Sequence, residues 1–124
     1  MKEHWKEQPD PHDYPAAQDY LSLVMSDERA EATVNRLQEA VLIRRKAKDL
    51  LRASGLPLLP KSNFHVAADL RKVKSGRRLS PVLLVRGDAW TGRPLIIADG
   101  YHRICASYHI GEDSAIPCRL ADVA

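Results

Sequence analysis

The stretch Pro94-Leu-Ile-Ile-Ala-Asp-Gly-Tyr-His-Arg-Ile-Cys-Ala106, continued by Ile116-Pro-Cys-Arg-Leu120, decides the fold. It reads as strand, tight turn, helix, strand. Leu95 to Ala98 is an apolar run with two β-branched residues, suited to a buried strand and too short for a helix. Asp99-Gly100 breaks the run, because Asp is a good N-cap and Gly tolerates the turn. From Tyr101 the period becomes helical, with Ile104, Cys105 and Tyr108 on one face. Gly111 is expected to stop that helix in the left-handed conformation. Ala115 to Leu120 then alternates, with Ile116, Cys118 and Leu120 on one side.

The chemistry of this stretch lies at the join. A helix N-terminus presents unpaired N–H groups and a partial positive charge. Gly100 would let an anion approach the backbone. His102 and Arg103 fall in the first turn, where a cation is unfavourable unless something negative binds. Basic residues there point to a phosphate or carboxylate site. The structural alternative pairs Arg103 with Asp99 or Asp113 and leaves His102 solvated.

Asp99-Gly-Tyr-His-Arg-Ile-Cys-Ala106 resembles the Gly-x-x-Arg-x-x-Ala signature of the ParB/sulfiredoxin superfamily. The sulfiredoxin form is Gly-Cys-His-Arg, and Gly100, His102 and Arg103 match it. The flanks follow in the same order: an apolar strand after Pro81, a Gly/Trp-containing loop, the 95–98 strand, the motif helix, and an Ile-Pro strand at 116–117. The similarity covers roughly residues 56 to 121. It implies a turn that binds nucleotide phosphates, with ATP or another nucleotide and Mg²⁺ as ligand, and with Gly100, Tyr101, His102 and Arg103 at the phosphate. Asp99, Lys72, Lys74, Ser75, Arg77 and Arg78 are additional candidates. Lys72-Val-Lys-Ser75 resembles the Lys-Val-x-Ser of a sulfiredoxin helix, with a shorter path to the next strand. Where sulfiredoxin carries its catalytic cysteine, this chain has Tyr101. A phenol with a reference pKa of about 10 does not replace a thiolate in sulfinic-acid repair, so that activity is not expected.

Working back from the motif, residues 62 to 76 read as a helix over Phe64–Lys74, capped by Ser62 or Asn63 and stopped by Gly76. Its end holds the dense cluster Arg71, Lys72, Lys74, Arg77 and Arg78, either a phosphate contact or a solvated rim. Val82 to Arg86 is a strand, and 87–93 is a hairpin loop whose Trp90 either covers a ring or packs over a core edge. Residues 56–60 form a connector with room for a short edge strand. Upstream, Pro15–Met25 reads as a short helix with Ala17, Tyr20, Leu21 and Val24 at helical spacing on one face. Ser26 caps a long one running to about Ala53, basic from Arg44 to Arg52 and ended by Gly55. That basic half is a solvated face, a nucleic-acid surface or a self-association element. Residues 1–14, with Pro9 and Pro11, read as a loosely attached arm. His4 and His12 fit no metal-ligand spacing, and no metal site is assigned.

The 124-residue length suits one domain, and 44% apolar with 28% charged residues is ordinary for a globular chain. A net charge of +3 permits nucleotide or nucleic-acid contact without demanding it. No apolar run has membrane-spanning length, the first residues do not read as a signal peptide, and two cysteines make no disulfide scaffold, so a cytoplasmic location is expected. The architecture expected is α+β: a ParB/sulfiredoxin-like core at 56–124, a small mixed sheet with packed helices, behind an N-terminal arm and two-helix extension at 1–55, together one compact unit. The function expected is nucleotide-phosphate binding, with phosphoryl transfer or hydrolysis as a further activity. The alternatives are a non-enzymatic ParB-like module contacting DNA through 44–52 or 71–78, and a scaffold that keeps the fold without the ligand. Oligomeric state is not legible.

Overall fold

The computed structural model describes residues 1–124. In chain order it contains β1 (His4–Trp5), α1 (Asp13–Leu21), α2 (Asp27–Glu39), β2 (Leu42–Lys46), α3 (Ala47–Ser54), α4 (Phe64–Lys74), β3 (Arg78–Leu79), β4 (Val82–Val85), β5 (Ile96–Asp99), α5 (Tyr101–Ile110) and β6 (Ala115–Ala121). The fold is α+β. The larger sheet has the order β2-β6-β4-β5 and is mixed: β4 runs parallel to β6 and antiparallel to β5, while β2 is antiparallel to β6. β1 and β3 form a separate parallel pair.

β4 is the apolar run Val82-Leu-Leu-Val85, buried at every position. A strand apolar throughout needs cover on both faces, and this one has it. Val82 and Leu84 enter one core cluster with residues of α3, α4 and α5, including Leu50, Val66 and Ile104. Leu83 and Val85 enter the other with Ala17 and Leu21 of α1 and Val34 and Leu37 of α2. The alternation of one strand therefore joins two cores across a three-layer molecule.

The long helix expected from Ser26 to Ala53 is interrupted. Ser26 does cap α2, its Oγ accepting from Arg29 N–H at 3.3 Å, but Ala40 is extended (φ −70°, ψ 143°) and Leu42–Lys46 is a strand. Five residues of β2 pair with β6, and that pairing overrides a continuous helical reading of the apolar spacing. Lys46 then leads into α3, which ends at Gly55 in the left-handed conformation (φ 71°). Residues 42–54 thus supply one edge of the same sheet and a helix of the same core.

Smaller departures follow from local geometry. α1 begins at Asp13, so Pro15 is its third residue, still among positions whose N–H lacks an intrahelical acceptor. Tyr20 and Val24, expected on its apolar face, are exposed, and Ala17 and Leu21 carry the packing. α4 spans Phe64–Lys74 as expected, with Asn63 Oδ1 accepting from the His65 and Val66 N–H groups. Gly111 follows α5 in extended backbone (φ −171°), not in the left-handed stop expected of it. No strand forms at 56–60. No helix is long and apolar enough to cross a membrane. Cys105 and Cys118 are free, buried thiols of one core cluster, and burial pushes the Cys118 thiol up to about 11.

Candidate functional site

β5 passes into α5 through Gly100, at φ 108° and ψ 16°. A Cβ at this position would lie 2.4 Å from Val82 Cγ1 and 2.8 Å from Arg103 Nη2. Glycine is therefore demanded twice, by the backbone angle and by the contact with β4. Gly100 itself holds the cap position, and no side chain caps the helix. Asp99, expected as the N-cap, turns to Arg103 instead, whose Nη2 donates to Asp99 Oδ2 at 2.7 Å. The first N–H of α5 with a helical acceptor is that of Ile104, to Gly100 O at 3.0 Å, so the groups before it open the helix toward the turn.

Arg103 is clamped from two sides. Its side chain is 16% exposed, and its Nη1 lies 3.9 Å from Asp13 Oδ2, opposite Asp99. Its Nε is buried without a hydrogen-bond partner. Burial pushes the Asp99 carboxyl up against the pull of this guanidinium. Of the two pairings open to Arg103, Asp99 is realised; Asp113 lies with Lys46 and Lys48.

The second carboxylate comes from the arm read as loosely attached. β1 pairs with β3, and Lys6 N–H extends the ladder to Leu79 O at 2.8 Å. Asp13 is 3% exposed. Its Oδ2 accepts from the Ser80 hydroxyl and from Asp10 N–H at 3.1 Å, and Asp10 N–H also reaches Ser80 Oγ at 3.0 Å. Lys6 Nζ holds Asp10 Oδ1 at 2.7 Å, which keeps the Asp10 carboxyl below its ordinary value. The arm is a strap, tied by a buried carboxylate that its prolines gave no reason to expect. Contacts between residues far apart in the chain identify it: β1 with β3, and Asp10 and Asp13 with Ser80.

Between strap, turn and α4 lies a cleft of about 480 Å³. α4 lines it with His65, Asp69 and Lys72, at i, i+4 and i+7 on one face. Arg77 and Arg78 border it beyond the helix, Lys6, Asp10 and His12 across it, and Asp99, Gly100, His102 and Arg103 at its inner end. Five cations thus meet three carboxylates and three of the chain's five histidines, while Ala68 and Leu79 are the sole apolar lining residues. The His65 and His102 rings have centroids 4.6 Å apart. Burial pushes the His102 imidazole below its ordinary value, helped by His65 and Arg103 and opposed by Asp69. Burial also pushes the Asp69 carboxyl up, against Lys72 Nζ at 3.9 Å.

Three expected site residues lie elsewhere. Tyr101 turns its hydroxyl to Pro57 O and packs its ring against the core. Lys74 borders a separate hollow with Lys61, Arg71 and His109, because two residues past Lys72 the helix has turned through about 200°. Ser75 Oγ donates to Lys72 O at the end of α4. Trp90 is 98% exposed in the loop at the far end of the β4–β5 hairpin from Gly100 and does not line the cleft. His65 and Asp69 were missed; their signal was the shared helical face with Lys72. Asp10, His12 and Asp13, by contrast, have donor atoms within 4.8 Å of one another and form the one set that could hold a divalent cation. Lys6 on Asp10, and Ser80 and Arg103 on Asp13, already occupy part of it.

The basic run 44–52 is no single helix face. Arg44, Arg45 and Lys46 lie on β2, Lys46 and Lys48 share Asp113, and Arg52 pairs with Asp49 at 3.5 Å. No protein-family model, no curated protein and no solved structure matches this chain.

Proposed function

We propose that this chain binds a nucleotide through its phosphates in the 480 Å³ cleft, as a divergent member of the ParB/sulfiredoxin superfamily. The observation that carries the reading is the cleft's lining. Its volume falls in the usual range for small-molecule sites, roughly 300–1,000 Å³, but its walls are charged where such sites are mostly apolar. A highly charged ligand suits those walls. Arg77 and Arg78 are exposed and make no ion pair, so their charge is available to a phosphate. Gly100, His102 and Arg103 of the signature, with Asp99, Lys72, Arg77 and Arg78, all border the same cleft. Arg103 acts from beneath, through a guanidinium whose Nε is unpartnered. Mg²⁺ enters with the nucleotide. Phosphoryl transfer or hydrolysis is the activity to look for once binding is established, with Asp10, Asp69 and Asp99 as the acids of the lining. A cytoplasmic location belongs to the same reading and accords with two free thiols.

Calorimetry with ATP, ADP, CTP and GTP in the presence of magnesium tests this. Arg78→Ala should cost about 1.5–3 kcal/mol of binding, roughly tenfold or more in affinity, without unfolding the chain. Arg103→Ala should cost at least as much. No binding of any nucleotide to the folded wild type overturns the reading.

A second reading is favoured by one observation: Arg71, Lys74, Arg77 and Arg78 are all exposed and none has an acidic partner. This run would serve a non-enzymatic DNA-contacting module. DNA binding that weakens steeply with salt and ignores nucleotide would support it over the first.

A further inference from the structure

We infer that binding of a phosphate ligand in the cleft is coupled to uptake of a proton from solvent, and that the paired imidazoles of His65 and His102 receive that proton. The inference rests on the phosphate reading and adds to it the charge class of the ligand and a dependence on pH.

The argument begins with where the two rings stand. His65 is the second residue of α4 and His102 the second of α5, helices of 11 and 10 residues. Both helices therefore turn their positive ends toward the place where the rings meet, 4.6 Å apart and inclined by 43°. Each imidazole is set against a helix end, against the other ring and, for His102, against the neighbouring Arg103. A positive charge on His102 is opposed by the helix end, by the neighbouring ring and by Arg103 while the cleft is empty.

The other groups around the pair do not reverse this. On α4, Asp69 faces the rings one turn beyond His65, but Lys72 lies 3.9 Å from its carboxylate. Phe64 and Tyr101 contribute neutral rings, edge-on to His65 and tilted to His102. Across the cleft, the Asp10 carboxylate is held by Lys6, and on the inner wall Asp99 is held by Arg103. What is missing is unshared negative charge.

A terminal phosphate supplies it. Two negative charges placed beside the pair favour the imidazolium form, and both ring nitrogens of a protonated histidine can donate. The proton comes from solvent and moves to a ring nitrogen; no bond of the ligand breaks. A phosphomonoester or polyphosphate terminus gains from this. A phosphodiester, with one negative charge, gains less. Affinity should therefore rise as the pH falls from 8 toward 6.5, by up to about tenfold per pH unit for each proton taken up.

The test is calorimetry of ATP with magnesium at pH 7.0 in two buffers of different ionisation enthalpy. Wild type is compared with His65→Gln, His102→Gln and the double variant, each checked for folding by circular dichroism. Titration of the ATP itself cancels in the comparison. The expected result is an excess uptake by wild type of roughly one proton per ATP over the double variant. The affinity gap between them should widen as the pH is lowered. His65 is exposed, so His65→Gln reports even where substitution of His102 disturbs the helix start. Equal proton uptake by wild type and variants, with binding intact, overturns the inference and leaves the phosphate reading standing. No binding to folded wild type overturns both.

Discussion

At the inner end of the cleft Arg103 is 16% exposed and held by Asp99 and Asp13, whereas on the rim Arg77 and Arg78 are exposed and make no ion pair. The two regions border one cleft and use one residue type. They differ in what desolvation has already done. The inner guanidinium lost its water on folding and takes its compensation from two carboxylates, so it belongs to the fold before it belongs to any ligand. The rim guanidinia are exposed to water and unpaired, so a ligand can engage them without breaking an ion pair. A basic residue in a signature motif can thus be structural first, while its unremarkable neighbours hold most of the available charge.

The largest expected effect is on the inner side. Arg103→Ala leaves the buried Asp13 and the half-buried Asp99 without their shared cation, and breaking such a group costs about 3–5 kcal/mol. Thermal or urea unfolding checks it; a loss below about 1 kcal/mol would remove the distinction between inner end and rim. Gly100→Ala comes next. The left-handed backbone and the contact with Val82 both oppose a side chain, for a stability loss of about 1–3 kcal/mol by the same measurement. Arg78→Ala should leave stability within about 0.5 kcal/mol of wild type while weakening nucleotide binding roughly tenfold, which sharpens the comparison by separating fold from ligand.

The smallest effect is on pH dependence. The His102 imidazole is held below its ordinary value in the folded chain. Above about pH 6.5 both the folded and the unfolded forms are neutral and stability is full. As the pH falls below that value the unfolded chain takes up its proton first, so ligand-free stability declines until the folded-state value is passed. His102→Gln should flatten the melting temperature over this window. An unchanged slope would show that His102 contributes nothing to the charge balance of the empty cleft.

The two basic runs extend the lesson. In the sequence, 44–52 and 71–78 are equally dense in Lys and Arg. In the structure Lys46 and Lys48 share Asp113 and Arg52 lies with Asp49, so three cations of the first run have acidic partners, against Lys72 alone in the second. The second ends at the cleft with Arg77 and Arg78 free. Asp113 is 65 residues from Lys48, and no local pattern announces that meeting.

Much of the core was legible because its signals are local. The strand read over 82–86, found at Val82–Val85, the cap read as Ser62 or Asn63, found as Asn63, and the change of period at Gly100 each lie within a few residues. The break of the expected long helix at Ala40 was not legible, because Leu42–Lys46 becomes a strand through hydrogen bonds to β6, whose residues 115–119 lie far along the chain. The strap was illegible for the same reason: Asp13 is an ordinary acid until Ser80 and Arg103 are brought to it. By itself, then, the sequence determined the α+β class, the strand after Pro81 and the turn at Gly100, since sterics, capping and periodicity act between neighbours. Only the tertiary structure decided which charges are spent on one another and which face the cleft, since electrostatic compensation depends on distance in space and on the water that folding removes.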